Sequence, residues 1–233
     1  LSSGNGGNLT FTDTFNIGAQ FQPRSGTITI PSGVTLGVDS VVSNANNSLA
    51  PVTINVSGTF NIRGSSGTIF SMVNSATLTS VTGSGTIGIT STSASSKTFA
   101  GGGNSYPNIS ITGSGSGAVI FTGANTFNNF TIGAPKTVTF PSSTTTTVSN
   151  FYAVGSAGNV ITINSNSAGT QATLSKSSGV VAADYLSLQD SAATGGAQWI
   201  AGANSTNVSN NTGWYFRGYY NDNVKLSNSV ISN

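Results

Sequence analysis

Short stretches in which apolar and small polar residues alternate recur along the whole chain. Such alternation places one side of an extended segment in a core and the other in water, which is typical of a half-buried β-strand. The stretches are rich in Val, Ile, Thr and Phe, which favour strands, and Gly, Ser and Asn turns separate them. The pattern predicts strands at 9–12, 27–30, 34–36, 52–56, 59–62, 86–89, 109–111, 118–121, 130–132, 137–140, 160–163 and 185–188.

The chain also repeats part of itself. The segment GTITIPS at 26–32 recurs as KTVTFPS at 136–142, and matching residues flank both copies at nearly the same separation. Self-similarity at a steady separation indicates an internal duplication. We therefore predict a first β-rich repeat over 1–110 and a second over 111–216.

Two all-β architectures fit this pattern. Short, evenly spaced strands with small turn residues favour a β-solenoid, in which each coil stacks on the one before. A repeat of this length is also the size of one β-sandwich, so two tandem β-sandwiches are the alternative. We favour the solenoid, because units such as 52–62 contain no long loop. The aromatic-rich segment 184–216 is then predicted to cap the open end of the stack, and 217–233 to form a C-terminal arm.

Charge is the unusual feature of the composition. Asp, Glu, Lys and Arg make up 5% of the 233 residues, and Glu, His and Cys are absent. A net charge of +2 does not favour nucleic acid as a partner. No apolar run reaches the length of about 18 residues that a membrane helix needs. The chain begins at Leu1 and its one Met is Met72, so we expect a processed form or a segment of a longer protein.

The same composition restricts the possible chemistry. Without His and Cys, the Ser-His-Asp and Cys-His catalytic sets and the common zinc sites are excluded. A glycosidase needs two neighbouring carboxylates, and Asp184 and Asp190 are the one close pair in the sequence. They flank the predicted strand 185–188, where Asp is a common turn residue. We therefore predict no catalytic residue, no metal site and no cofactor, and a protein that is not an enzyme.

A cluster of aromatic residues near the C-terminus is the best candidate for a contact surface. Exposed aromatic rings beside Asn and Gln amides suit both sugar rings and protein interfaces. The candidate ligand or interface residues are Trp199, Trp214, Tyr215, Tyr219 and Tyr220. For Trp199 and Trp214 the alternative is that they seal the end of the core.

The C-terminal half resembles a known type of module. The runs DSAATGG at 190–196, WIAGANST at 199–206 and NNTGW at 210–214 resemble the end of a β-rich repeat module of tailed-bacteriophage structural proteins, of the fibre or decoration type, and of bacterial surface adhesins. Residues 136–165 are similar to its body, so the likeness covers about 118–216 and leaves out the tail from Arg217. The resemblance implies a structural or adhesive part of a virion or cell surface, and it carries over no catalytic residue.

These observations predict a non-enzymatic structural or adhesive protein of a phage virion or a bacterial surface appendage. It would be extracellular, at the cell surface or in the virion, and would bind copies of itself or other structural proteins of that surface. Segments 1–16 and 217–233 are candidates for strand exchange between copies, because an extended segment can complete a sheet edge. The alternative is a glycan-binding receptor module at a fibre tip. A polysaccharide depolymerase is a more distant alternative.

Overall fold

Every regular element in the described part of the chain is a β-strand. The computed structural model describes residues 7–43, 51–72 and 79–216, which form 26 strands and no helix. The first thirteen are β1 (Leu9–Thr10), β2 (Phe15–Asn16), β3 (Gln20–Phe21), β4 (Gly26–Ile30), β5 (Thr35–Val38), β6 (Ser40–Val42), β7 (Val52–Val56), β8 (Thr59–Ile62), β9 (Gly67–Ser71), β10 (Thr79–Thr82), β11 (Thr86–Ile89), β12 (Lys97–Ala100) and β13 (Ser105–Tyr106). The remaining strands are β14 (Asn108–Ile111), β15 (Val119–Thr122), β16 (Thr126–Ile132), β17 (Lys136–Phe140), β18 (Thr145–Ala153), β19 (Ile161–Ser165), β20 (Ala172–Ser175), β21 (Val180–Ala182), β22 (Leu186–Gln189), β23 (Ser191–Thr194), β24 (Gln198–Ile200), β25 (Thr206–Ser209) and β26 (Trp214–Tyr215).

The strands wind into three parallel ladders around one core. Face 1 begins with β1-β4-β7-β10, face 2 with β2-β5-β8-β11-β14, and face 3 is the ladder β3-β6-β9-β12-β15-β17-β19-β22-β25. The long strands β16 and β18 pass around the corner from face 1 to face 2. Beyond them β20 and β23 continue face 1, whereas β21, β24 and β26 continue face 2. The described chain visits the three faces in order for about eight turns, which is a β-solenoid.

The alternation of residue types decides which side chains enter the core. Along β7 and β17 the residues are buried and half-buried in turn. Because the coils are in register, the inward residues form columns, such as Ile28, Ile54 and Val81 on face 1. Burying one such side chain contributes roughly 1.5–3 kcal/mol. The columns and the backbone ladders therefore stabilise the same stacking.

A column of aromatic rings lies along this core. The rings of Phe70 and Phe99 are stacked with their centroids 4.2 Å apart and an interplanar angle of 1°. Aromatic pairs of this kind contribute about 0.5–1.5 kcal/mol beyond the area that they bury. The column continues from Phe99 through Phe121, Phe130, Phe151 and Trp199 to Trp214. Successive coils are thus joined by ring contacts as well as by backbone hydrogen bonds.

The corner between faces 1 and 2 is too tight for side chains in the early coils. A Cβ atom on Gly58 would collide with the carbonyl oxygens of Pro31 and Val34 in the preceding coil. One on Gly85 would collide with the carbonyl oxygen of Gly58. Glycine is required at these positions because backbone lies directly on backbone.

The same corner carries an asparagine ladder in the later coils. The Asn108 amide donates to the carbonyl oxygens of Ser84 and Gly85, at 2.9 and 3.0 Å. Asn129 then donates to the side-chain oxygen of Asn108 at 2.8 Å, and Asn150 to that of Asn129 at 2.9 Å. Since an amide can donate and accept at once, the ladder can be extended from coil to coil without an unpaired group between its members.

The predicted solenoid is confirmed, and the tandem β-sandwich alternative is wrong because the strand pairings form continuous parallel ladders. The predicted strands 52–56, 59–62 and 86–89 coincide with β7, β8 and β11. The two copies of the duplicated motif both form a strand that ends before a proline, Pro31 or Pro141. They lie on different faces, however: β4 is on face 1 and β17 on face 3.

The stack of strands is continuous across the boundary predicted between the two repeats. The boundary between residues 110 and 111 falls inside β14, which pairs with β11 on one side and β16 on the other. The division into two repeats therefore stays a prediction about sequence similarity. The predicted cap, 184–216, contributes β22 to β26, which extend the three faces, and the predicted arm 217–233 lies outside the described residues.

Replacing Gly85 by Ala tests the corner packing. We expect a loss of about 1–3 kcal/mol in the free energy of unfolding, because the backbone of Gly58 cannot move aside without breaking the ladder. The control is Gly18→Ala, since Gly18 has open space at its Cβ position. Urea denaturation followed by circular dichroism measures both changes. Equal stability of the two variants would contradict the tight corner.

Candidate interaction sites

The two tryptophans of the predicted aromatic cluster are core residues. Trp199 has no exposed surface and Trp214 is 8% exposed. Their rings meet edge to face with centroids 5.1 Å apart. The indole N–H of Trp199 donates to the Thr194 carbonyl at 3.0 Å, and that of Trp214 donates to the Ser191 hydroxyl at 3.1 Å. Trp199 therefore offers no free ring face in the described structure, and the alternative of a seal at the end of the core fits both residues. The ligand or interface role predicted for them stays a prediction.

The tyrosines of the same cluster differ in position. Tyr215 is 44% exposed in β26, the last described strand of face 2. It is the one member of the predicted set that the described structure places at the surface. Tyr219 and Tyr220 lie outside the described residues, so their predicted role stays a prediction.

The two close aspartates are turn residues at opposite ends of β22. Asp184 accepts hydrogen bonds from the Tyr185 and Asn204 backbone N–H groups and from the Asn204 amide. Burial opposes ionisation of Asp184, but these hydrogen bonds outweigh it and lower the pKa of its carboxyl. Asp190 accepts from the Gly169 N–H and the Asn210 amide.

The separation of this pair does not suit glycoside hydrolysis. Strand β22, Leu186–Gln189, is extended over about 10 Å, and the two aspartates lie beyond its opposite ends. A glycosidase pair is at most about 9.5 Å apart. The interpretation of Asp184 and Asp190 as residues that bracket a strand is therefore supported.

The sides of the solenoid present uncharged polar columns. On face 3, Thr137, Thr162, Ser187 and Thr206 follow one another in register on the outer surface. Beside them the Thr139 hydroxyl donates to the Asn164 side-chain oxygen at 2.7 Å. Such surfaces carry no charge that would repel another copy.

The ends of the described stack differ from its sides. At the first coil Phe15 is 49% exposed and packs against Phe11, in a shallow recess that also includes Asp13. At the last coil, Val208 in β25 is 50% exposed and Tyr215 is 44% exposed. Among the described residues β3 and β25 each pair on one side only, so both ends of face 3 are open edges.

Two buried lysines occupy the corner between faces 2 and 3. Lys97 and Lys136 are 2% and 6% exposed and begin β12 and β17. The Lys97 ammonium donates to the Ser93 and Ser95 carbonyls at 2.8 and 2.6 Å. Burial lowers the pKa of Lys97 below its ordinary 10.5; burial and then the charge of Lys97 lower the pKa of Lys136.

Lys136 supports a loop of the preceding coil. Its ammonium donates to the Gly113 carbonyl at 2.7 Å and also to the Gly115 carbonyl. The loop 112–118 lies directly on the loop 90–96, because Cβ atoms on its alternate glycines, Gly113, Gly115 and Gly117, would collide with that backbone. The next coil has only the short segment 133–135 at this corner, so the lysine fills the space below the longer loop.

Sequence reasoning missed these lysines. The usable signal was a lysine at the first inward position of a strand, as in KTFA at 97–100 and KTVTF at 136–140. The later strands of the same ladder carry Val119, Ile161 and Leu186 at this position. A charged residue at an inward position of an alternating pattern has to find buried polar partners. Only the structure shows that these partners are loop carbonyls.

The described residues contain neither a candidate metal cluster nor a candidate membrane helix. Within 7–43, 51–72 and 79–216 there is no cluster of three Asp, Glu, His or Cys side chains that could hold a metal ion. The same part of the chain contains no helix long and apolar enough to cross a membrane.

Comparisons with family models, with curated proteins and with solved structures gave no match for this chain. The resemblance to phage and bacterial surface modules therefore stays a prediction.

The pH dependence of stability tests the burial of Lys97. Because the pKa is lowered in the folded state, the unfolded chain binds the proton more tightly between the lowered value and 10.5. The protonated Lys97 therefore lowers the free energy of unfolding at pH values below this window. Raising the pH through the window removes this destabilisation, so the wild type should gain stability relative to Lys97→Met. Thermal unfolding at pH 7 and pH 10 measures the difference between the two proteins. A difference independent of pH would contradict a buried ammonium.

Proposed function

We propose that this chain is a structural and adhesive module of a phage virion or a bacterial surface appendage, which associates end to end with copies of itself. The observation that supports the proposal most is the contrast between the sides and the ends of the solenoid. The sides carry hydroxyl and amide columns together with some exposed apolar side chains, such as Tyr152 and Val160. Among the described residues, open strand edges occur at the two ends of the stack and not along its sides. A strand edge is a template for pairing with another chain.

The two ends are complementary in direction. The ladders are parallel, so within residues 7–43, 51–72 and 79–216 no strand precedes β3 and none follows β25 on face 3. A second copy can supply both strands, either through its end coil or through the exchanged segments 1–16 and 217–233. A contact between two different ends repeats without closing, which gives a filament or a fibre rather than a closed dimer.

The low charge of the chain favours such contacts. Its net charge of +2 gives copies little mutual repulsion. The charges that do occur can pair at the surface, as Arg63 and Asp39 do at 3.9 Å. Association would therefore depend on backbone pairing and apolar contact, and it should respond weakly to salt.

The test places a charge at the proposed contact. Wild-type chain at rising concentration should form oligomers in light scattering and short fibres in electron microscopy. Val208→Lys places a charge on the edge strand β25, which opposes strand pairing, and should raise the concentration needed for assembly by about tenfold or more.

The matched control is Thr162→Lys, which adds the same charge in β19, two strands inside the β25 edge of face 3. This variant should assemble as the wild type does. A wild-type chain that stays monomeric at high concentration, or a loss of assembly in Thr162→Lys alone, would overturn end-to-end association.

A further inference from the structure

A notch lies at the corner between faces 2 and 3. The corner segments of successive coils there are 112–118, 133–135 and 154–160, so a short segment lies between two long ones. The recess left by the short segment is lined by Ser114, Ser116, Pro135, Lys136, Thr137 and Val160. It opens on the side of the solenoid, away from both described ends.

The Lys136 ammonium, which lies at this notch, uses only part of its hydrogen-bonding capacity. An ammonium has three N–H donors, and Lys136 uses two of them for the Gly113 and Gly115 carbonyls. In the described part of the chain the third donor has no hydrogen-bond partner, and no carboxylate forms an ion pair with Lys136 or Lys97. Two buried positive charges thus share a corner without a counter-charge, which an anion in the notch would supply.

The walls of the notch combine two kinds of surface. Pro135 and Val160 offer C–H groups, and Val160 is 40% exposed. Ser114, Ser116 and Thr137 offer hydroxyl groups around them. A small site with apolar walls and a few convergent polar groups is the usual form of a ligand site.

We propose that this notch binds a carboxylated sugar, with the carboxylate on the Lys136 ammonium and the ring between Pro135 and Val160. A sugar ring presents C–H faces and hydroxyl groups together, which matches these walls. A single free N–H suits one carboxylate oxygen, whereas phosphate recognition commonly uses several converging donors.

The backbone at the notch argues against an acidic peptide as the ligand. A peptide adds to a sheet through unpaired backbone groups. The N–H groups of Gly113, Gly115 and Gly117 already donate to carbonyl oxygens of the preceding coil. The available contacts are side chains, and these favour a compact ring.

The experiment compares two sugars that differ only at C6, methyl β-D-glucuronide with a carboxylate and methyl β-D-glucoside with a hydroxymethyl group. Titration of the full chain, followed by amide chemical shifts, should show the glucuronide bound at Ser114, Ser116 and Thr137. The glucoside should bind at least about tenfold more weakly, because it lacks the carboxylate. Equal binding of the two sugars, or shifts located elsewhere, would overturn the proposal.

Variants separate the charge from the shape of the notch. Lys136→Met should lose glucuronide binding by about tenfold or more, whereas Lys176→Met should bind as the wild type does. Since Lys136→Met removes two hydrogen bonds and can lower stability, Val160→Trp provides a second test that fills the notch and leaves Lys136 in place. Full binding by Val160→Trp, or acetate binding as tightly as the glucuronide, would contradict a sugar site.

This inference does not depend on the proposed assembly. The notch lies on the side of the stack, and Val208→Lys changes only the end. Glucuronide binding by a chain that does not assemble would support the notch and contradict the structural role. Assembly without glucuronide binding would support the structural role and contradict the sugar site in the notch.

Discussion

Register between neighbouring coils is the constraint on which the rest of this structure depends. Each strand pairs in parallel with the equivalent strand of the next coil, so paired residues point the same way. The register shifts only where β12 meets β9 and where β22 meets β25, among the described strands. A shift by one position would exchange the inner and outer sides of a whole strand. Inward columns of Ile, Val and Phe, and outward columns of Thr and Asn, are both consequences of this single requirement.

The coils differ at their corners, which hold the close glycine contacts, the asparagine ladder and the buried lysines. Backbone lies on backbone at Gly58 and Gly85, whereas an amide ladder that begins at Asn108 occupies the same corner further along. At the corner between faces 2 and 3 the loop length changes between coils, and a lysine fills the gap. The notch is therefore a direct result of unequal coils stacked in register.

Sequence reasoning could predict the fold because the period of two is visible in the residues themselves. Strands β7, β8 and β11 were predicted at their observed bounds. Strands such as β18 and β23 were missed, since runs of Thr, Ser or Ala carry little contrast between inside and outside. The aromatic cluster was found by composition, but burial of Trp199 depends on which coil covers it. The lysine site depends on loop carbonyls from a different coil, which no local pattern reports.

The duplicated motif carries a consequence for the origin of the chain. One copy forms β4 on face 1 and the other β17 on face 3, yet each is a strand that runs up to a proline corner. A strand and its corner are thus interchangeable between sides of the triangle. A copied segment can therefore be shifted by one face of the triangle and still keep the alternation that the stack requires.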